Sequence, residues 1–133
     1  MQVREGMSSV ILAVGPGHTL RDAASKMTEK GTGAALVFDE HSPAPRIITE
    51  RDVLNSVGRG QNPDEELVEA HMSESVISAP PDWSLERAAE EMVKLGIRHL
   101  VVVDRGELAG VLSMRDIVRC WTQAGATSSI SPP

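Results

Sequence analysis

The chain has 133 residues, of which 41% are hydrophobic, and it carries a formal net charge of −6. Its 13 Lys and Arg residues form no basic stripe, which argues against a nucleic-acid-binding protein, because such proteins gain affinity by neutralising phosphates. Cys120 is the only cysteine, so an internal disulfide and a multi-thiolate metal site are excluded, and we expect a reducing, cytoplasmic compartment.

Membrane-spanning, secreted and metal-binding proteins are not expected either. No apolar stretch approaches the roughly 18 residues of a membrane-spanning helix, and the first six residues do not resemble a signal peptide. The four histidines lack the short spacing of metal ligands, so we expect no metal site.

The dominant feature of the sequence is an internal repeat. Residues 19–27 (TLRDAASKM) align with 84–92 (SLERAAEEM), and after one extra residue in the first copy 47–53 align with 111–117. Such self-similarity predicts two copies of one structural unit. We place the copies at 1–61 and 62–122, followed by a small, polar tail at 123–133 that we expect to be disordered.

In the first copy, a short extended lead precedes a helix that begins after Thr19 and ends at Gly31. An unbroken apolar run at 34–38 predicts a strand covered on both faces. A second strand and a second helix, from Arg51 to about Val57, complete the copy. Asn62-Pro63-Asp64-Glu65 then has the signature of a further helix start.

The second copy repeats this order. Ser84 and Gly96 bound its first helix, and 100–103 form the buried strand. The turn 104–107 predicts a hairpin to a strand at 108–112. The last helix runs from Arg115 to about Gln123.

Each copy has a hydroxyl residue followed three residues later by an acid, directly after a strand and at the start of a helix: Thr49 with Asp52, and Ser113 with Asp116. Taken alone, such a pair is a capping box that satisfies backbone N–H groups. A helix N-terminus also attracts anions, an arginine there favours phosphate, and an acid suits a ribose diol. A hydroxyl, an arginine and an acid together at the start of a helix therefore also fit a nucleotide.

From about Val3 to Trp121 the sequence resembles a pair of cystathionine-β-synthase-type (CBS) domains, the Bateman module. The residues that carry the resemblance are the Met7 and Met72 openings, the helices ending at Gly31 and Gly96, and the segments 96–104 and 110–116. The resemblance implies an α/β fold in which each copy is a β-α-β-β-α unit, with two small sheets, outer helices and a pseudo-two-fold relation between copies.

The resemblance also implies two clefts between the copies that bind AMP, ADP, ATP or S-adenosylmethionine as regulatory ligands, with no obligatory cofactor. Thr49 with Asp52, and Ser113 with Asp116, are expected to hold ribose hydroxyls. The candidates for phosphate contacts are Arg51, Arg115, Arg98 and His99. The candidates for the base pocket are Ile97 and the backbone at 11–13 and 76–78, including Leu12, Ile77 and Ser78.

The two copies differ at this expected site. Arg98-His99 of the second copy corresponds to Gly33-Ala34 of the first, and Gly110, where we expect a small residue to let a ligand approach, corresponds to Arg46. Arg46 is expected either to plug a cleft or to donate to a phosphate. We therefore expect two unequal sites, of which one is filled more readily.

Three classes of function come into question, and two of them remain open. The first is a stand-alone nucleotide sensor that signals to an unknown effector protein in trans, and the second is an interaction module without a small-molecule site. An enzyme is not expected, because no nucleophile–base pair or glycine-rich phosphate loop is present. The final helix carries Ile117, Val118 and Trp121 on one apolar stripe, which either closes the chain's own core or meets a partner. The resemblance implies a homodimer formed through such helices.

Overall fold

The computed structural model describes residues 1–41, 44–73 and 76–124. Nearly all of the tail predicted to be disordered therefore lies outside the described residues. The helices and strands in chain order are α1 (Val3–Gly6), β1 (Ala13–Val14), α2 (Leu20–Lys30), β2 (Ala34–Val37), β3 (Arg46–Thr49), α3 (Glu50–Gly58), a 3₁₀ turn (Val68–Ala70), β4 (Ser78–Ala79), α4 (Leu85–Leu95), β5 (His99–Asp104), β6 (Glu107–Ser113) and α5 (Met114–Gln123).

Both copies form the predicted β-α-β-β-α unit. In the first, β2 lies between β1, to which it is parallel, and β3, to which it is antiparallel. In the second, β5 lies between a parallel β4 and an antiparallel β6. The fold is thus α/β, with two three-stranded sheets and helices packed on them, as predicted.

The first helix of each unit begins and ends where the sequence predicts. The hydroxyl of Thr19 accepts a hydrogen bond from Asp22 N, and the hydroxyl of Ser84 accepts one from Arg87 N, both at 3.1 Å. Both helices then end at a glycine in the left-handed region, with φ 67°. Glycine is favoured there because other residues pay a steric cost at that angle.

The predicted helix start at 62–65 is wrong. Asn62 instead opens a turn, in which its side-chain oxygen accepts from Asp64 N at 3.0 Å, and only the 3₁₀ turn follows. The carbonyl of Glu66 accepts from Leu20 N at 2.9 Å, and Leu67 forms a bridge with Thr19. These long-range contacts involve residues 66 and 67 and hold Leu67 extended, so the turn at 62–65 does not continue into a helix.

The structure divides into two compact units, and we describe each by itself: Met1–Val10 with Ile77–Pro133, and Ile11–Val76. The lead of each copy thus packs on the sheet and helices of the other copy. Val3 N donates to Trp83 O at 2.8 Å, and at the matching positions Val68 N donates to His18 O at 2.8 Å. We call the unit with both termini unit 1 and the other unit 2.

Each unit has its own aliphatic core. That of unit 1 contains Val3, Ala79, Leu85, Ala88, Met92, Leu100, Val102, Leu112, Ile117 and Cys120. That of unit 2 contains Val14, Leu20, Ala23, Met27, Ala35, Val37, Ile48 and Val68. All four residues of β2 are buried, as the unbroken apolar run predicts. The leads supply Val3 and Val68, so each core is completed by residues distant in sequence.

Candidate functional site

In unit 2 the candidate pair lies at the junction of β3 and α3. Thr49 N and the Thr49 hydroxyl donate to Asp52 Oδ2, at 2.8 and 3.1 Å, and Asp52 N donates back to the hydroxyl at 3.4 Å. The pair forms a complete capping box, with both side chains half-buried. Asp52 Oδ1 takes part in no hydrogen bond within the part of the chain that the structure describes, so it can accept from a ligand hydroxyl.

Unit 1 has the same arrangement at the junction of β6 and α5. Ser113 N donates to Asp116 Oδ2 at 2.9 Å, and Asp116 N donates to the Ser113 hydroxyl at 3.0 Å. Here the second carboxylate oxygen is engaged as well, because Arg119 Nη1 lies 2.8 Å from Asp116 Oδ1. Arg119 Nη2 also donates to Gly6 O at 3.3 Å, so one guanidinium connects this site to the end of α1.

The sequence did not single out Arg119. Its signal is the i, i+3 spacing from Asp116, which places the two side chains on one helix face. At the matching position of α3 stands Asn55, so unit 2 has no counterpart of this ion pair.

The arginines proposed to contact phosphate are exposed. Arg51, Arg98 and Arg115 make no side-chain hydrogen bond or ion pair with any residue in 1–41, 44–73 or 76–124. Their charge is therefore available to an anion. Arg98 lies next to the unit 1 pair, because its carbonyl accepts from Met114 N at 2.9 Å.

His99 lies beside the same pair. It is the cross-strand partner of Ser113 in the β5–β6 hairpin, and directly opposed residues bring their side chains to one face of the sheet. In unit 2 the matching partners are Ala34 and Thr49. The structure thus brings Arg98, His99, Ser113 and Asp116 together in unit 1, and leaves unit 2 without the basic pair.

The residues proposed for the base pocket are divided between the units. Leu12 packs against the core of unit 2, and its carbonyl accepts from Leu36 N at 2.8 Å. In unit 1, Ile97 packs against the core, and the carbonyl of Ile77 accepts from Val101 N at 3.0 Å. Ile77 and Ser78 are exposed at β4. Thr49, Arg51, Asp52 and Leu12 therefore share unit 2, and the other candidates share unit 1.

Glu50 is a second residue that the sequence did not single out. It is exposed at the first position of α3, and its carboxylate lies over Gly33, where a Cβ would be 2.9 Å from Glu50 Cδ. Glu50 N also donates to Gly33 O at 2.9 Å. Glu50, two positions before Asp52, thus lies against Gly33, the residue that matches Arg98 of unit 1.

The role expected for Gly110 requires a correction. A Cβ there would lie 2.5 Å from Ser8 O, within the chain's own lead segment. Ser8 and Val111 exchange backbone hydrogen bonds at 2.9 and 3.0 Å. Gly110 is therefore needed to let the lead approach β6, and no ligand has to be invoked.

Among residues 1–41, 44–73 and 76–124, no three His, Cys, Asp or Glu side chains are grouped so that they could hold a metal ion. Within the same residues, no helix has the length and apolar character needed to cross a membrane.

Comparison with known proteins agrees with this architecture. The sequence profile of the CBS domain matches residues 2–59 and 66–122. An uncharacterised protein of Methanopyrus kandleri is 38% identical over 111 residues, which cover 82% of this chain but 57% of that protein. The chain thus spans little more than half the length of this relative.

Two solved structures share the fold. A protein with CBS domains from Burkholderia ambifaria is 31% identical, with a TM-score of 0.83 and coverage of 90% of this chain and 93% of its own. A CBS domain protein from Pyrobaculum aerophilum, complexed with AMP, is 29% identical, with a TM-score of 0.78 and coverage of 96% and 99%. With both repeats matched and the β-α-β-β-α unit present twice, the chain belongs to the CBS domain family and contains a tandem pair of CBS domains.

Proposed function

We propose that the chain is a regulatory module that binds an adenosine-containing compound, AMP, ADP, ATP or S-adenosylmethionine, and signals its presence to a partner protein in trans. The observation that carries the proposal is the repeated arrangement of hydroxyl, arginine and acid at the start of α3 and α5 in a chain related to an AMP-complexed CBS protein. Because the residues are on rigid elements, they are pre-positioned for a ligand.

Each residue type has a specific role in this proposal. Asp52 and Asp116 accept hydrogen bonds from the ribose hydroxyls, as an acid does in dinucleotide-binding folds. The exposed arginines attract phosphate oxygens, and the N-terminal end of each helix adds a favourable dipole. Leu12 in unit 2, and Ile97, Ile77 and Ser78 in unit 1, are proposed to line the base pocket. The ligand regulates because it binds one conformation of the module more tightly than another.

A competing function is that of an interaction module without a small-molecule site. It is favoured by the closed capping boxes, since Asp52 and Asp116 each have a structural task of their own. Their capping alone accounts for the presence of these acids. Only a binding measurement distinguishes the two functions.

The test combines thermal shift and calorimetry with AMP, ADP, ATP and S-adenosylmethionine. A ligand at 100 times its dissociation constant should stabilise the fold by about 2.7 kcal/mol. Asp116→Ala should cost about 0.5–2 kcal/mol of stability through the lost cap and should also abolish binding at its site. Stabilisation by none of the four compounds would contradict the proposal.

Ser84→Ala is the matched control. Ser84 caps α4 with a single hydrogen bond to Arg87 N, without a partner acid and outside the candidate site. It should lose comparable stability, again about 0.5–2 kcal/mol, but keep ligand affinity. A loss of affinity in this variant would mean that ligand affinity falls whenever the fold is destabilised, so the effect of Asp116→Ala could not be assigned to a ligand contact.

We further propose a homodimer formed through the second helices of the two repeats. Leu54 and Val57 of α3 are 69% and 48% exposed, and the matching residues of α5 are Val118, 52% exposed, and Trp121, half-buried. Because both repeats place an apolar pair at equivalent positions, a second copy of this chain presents apolar surface that fits each of them. Single exposed apolar residues need no explanation, whereas matched pairs at equivalent positions do.

Sedimentation tests the homodimer. The wild type should be dimeric at micromolar concentration, and Leu54→Glu combined with Val118→Glu should make it monomeric. Val93→Glu is the control, because Val93 is 74% exposed on α4, outside the proposed surface. A monomeric wild type would overturn the homodimer and leave the ligand proposal standing.

No catalytic role is proposed, and the module is proposed to act in the cytoplasm. A reducing compartment suits a chain whose single cysteine, Cys120, is buried and unpaired.

A further inference from the structure

The two candidate sites differ in charge, and the difference centres on Glu50. In unit 2 the Glu50 carboxylate lies against Gly33, with the position of a Cβ on Gly33 only 3.0 and 3.1 Å from the two carboxylate oxygens. In unit 1 the matching residues are Met114 and Arg98. Unit 1 thus has the cation Arg98 beside the apolar Met114. At the matching positions unit 2 has the carboxylate of Glu50 beside a glycine, which has no side chain.

The remaining charged residues increase this difference. Arg51 and Arg115 occupy matching positions and do not distinguish the sites. Arg119 adds a cation beside Asp116 at 2.8 Å, and Asn55 adds none beside Asp52. The start of α5 therefore has three arginines against one carboxylate, whereas the start of α3 has one arginine against two.

Arg46 does not restore the balance. It is in β3, three residues before Thr49, and an extended strand separates such positions by about 10 Å. It pairs with Val37 at the far end of the strand pair, whereas Thr49 pairs with Ala34. The backbone of Arg46 is thus about 10 Å from that of Thr49, and Arg46 makes no hydrogen bond or ion pair with the Thr49–Asp52 cap among the described residues.

We propose that the two sites select different adenosine compounds by charge. The Ser113–Asp116 site favours an adenosine compound that carries phosphate, whereas the Thr49–Asp52 site, where Glu50 opposes the attraction of Arg51 for phosphate, favours one that carries none. Glu50 is the residue that sets the difference. This inference rests on the proposed function, because it presupposes that both sites bind adenosine.

The physical basis is that Glu50 acts on the phosphate and not on the nucleoside. A carboxylate a few ångströms from a phosphate repels it, and unit charges about 4 Å apart change affinity on the order of fivefold even in water. An uncharged nucleoside experiences no such repulsion. Selectivity should therefore appear as the ratio of AMP affinity to adenosine affinity, measured separately at each site.

The experiment is a nuclear magnetic resonance titration of the full chain with AMP and with adenosine. The backbone amides of residues 49–52 report the unit 2 site, and those of 113–116 report the unit 1 site. AMP should saturate 113–116 at a lower concentration than 49–52, while adenosine should not show this preference. Added salt should reduce the AMP difference, because exposed charges are screened.

Two reciprocal variants test Glu50. Glu50→Met gives unit 2 the residue of unit 1, and it should raise AMP affinity at 49–52 by about fivefold while leaving adenosine affinity within about twofold. Met114→Glu should lower AMP affinity at 113–116 by a similar factor. Glu86→Met is the matched control, since it removes an acid from the first turn of α4, away from both sites, and both ratios should stay unchanged.

The possible results distinguish failure of charge selection from failure of the proposed function on which it rests. Equal AMP affinity at both sites of the wild type, or an unchanged ratio in Glu50→Met, overturns the charge selection while adenosine binding stands. If neither AMP nor adenosine shifts either group of amides, in the wild type or in Glu50→Met, the inference fails. If ADP, ATP and S-adenosylmethionine shift neither group as well, the proposed function fails with it.

Discussion

Gly110 lies so close to Ser8 that a Cβ added to the glycine would be 2.5 Å from the serine carbonyl oxygen. The contact joins the lead at the start of the chain to β6, more than a hundred residues later, and two backbone hydrogen bonds between Ser8 and Val111 fix it. The obstacle is backbone, which cannot move aside as a flexible side chain can. The architecture of unit 1 therefore depends on the absence of a side chain at position 110.

Gly110→Ala should destabilise the protein. The added methyl group forces apart the lead and β6, and overpacking of this kind costs about 1–3 kcal/mol. Chemical denaturation measures the change in the free energy of unfolding. Gly17→Ala is the control, because nothing lies within 4 Å of a Cβ there and its φ is not in the left-handed region, so a change within about 0.5 kcal/mol is expected. Equal stability of the two variants would show that the lead does not need the glycine.

The helices and their ends could be predicted because their signals are local. Thr19, Ser84, Gly31 and Gly96 each act within one turn of the helix they bound, and the structure confirms all four. The failed helix start at 62–65 has the same kind of local signal. There the long-range hydrogen bond from Leu20 N to Glu66 O determines the conformation. Its two residues are too far apart in the sequence for a local pattern to indicate the contact.

The candidate site was predictable in its motif but not in its electrostatics. Spacing alone placed Thr49 with Asp52 and Ser113 with Asp116, because the two residues of a capping box are three positions apart. The contact of Glu50 with Gly33 joins two elements, and so does the contact of Arg119 with Gly6. Residue order does not reveal which charges meet across elements, although these charges determine how the sites differ.

Arg119→Ala should reduce the stability of unit 1 modestly. Its ion pair with Asp116 joins a 49%-exposed side chain to one that is 15% exposed, and such pairs are worth about 0.2–1 kcal/mol. The free energy of unfolding, measured without ligand, should fall by that amount at low salt and by less at high salt. Arg115→Ala on the same helix should change it little, because Arg115 has no partner within the described part of the chain. A salt-independent loss would contradict an electrostatic origin.

The N-terminal turns of α2 and α4 are stabilised differently. Asp22 completes a capping box with Thr19, whereas the matching Arg87 stacks over Trp83 with its guanidinium carbon 4.0 Å from the ring centroid. Each first turn has one acid, Asp22 in α2 and Glu86 in α4, but only Asp22 closes a capping box. A side-chain hydrogen bond of this kind is worth about 0.5–1.5 kcal/mol, and an exposed cation–π contact about 0.5–1 kcal/mol. The capping box of α2 and the cation–π contact of α4 thus contribute similar amounts to the free energy of unfolding.

Substitution of Arg87 tests this equivalence. Arg87→Ala loses the stacking contact and gains no cap, so the free energy of unfolding should fall, by at most about 1 kcal/mol. Arg87→Asp also loses the contact but acquires the box chemistry of α2, and it should be more stable than Arg87→Ala by about 0.3–1 kcal/mol. Urea denaturation ranks the three proteins. If Arg87→Asp proved the least stable, the stacking contact would be the dominant interaction in this turn.

Asp22 should make the stability of unit 2 depend on pH in the acid range. The backbone N–H of Thr19, at 3.1 Å, and then its hydroxyl lower the pKa of the Asp22 carboxyl, so the folded protein binds this proton less readily than the unfolded chain does. The resulting stabilisation is fully present above the unfolded pKa of about 3.9 and is lost as the pH falls through the folded value. In Asp22→Asn this part of the pH dependence should disappear, while stability near neutral pH falls because the charged cap is gone. Carboxyl chemical shifts followed from pH 6 downward give the folded pKa directly, and a midpoint at or above that of an unfolded peptide would show that Thr19 does not stabilise the anion.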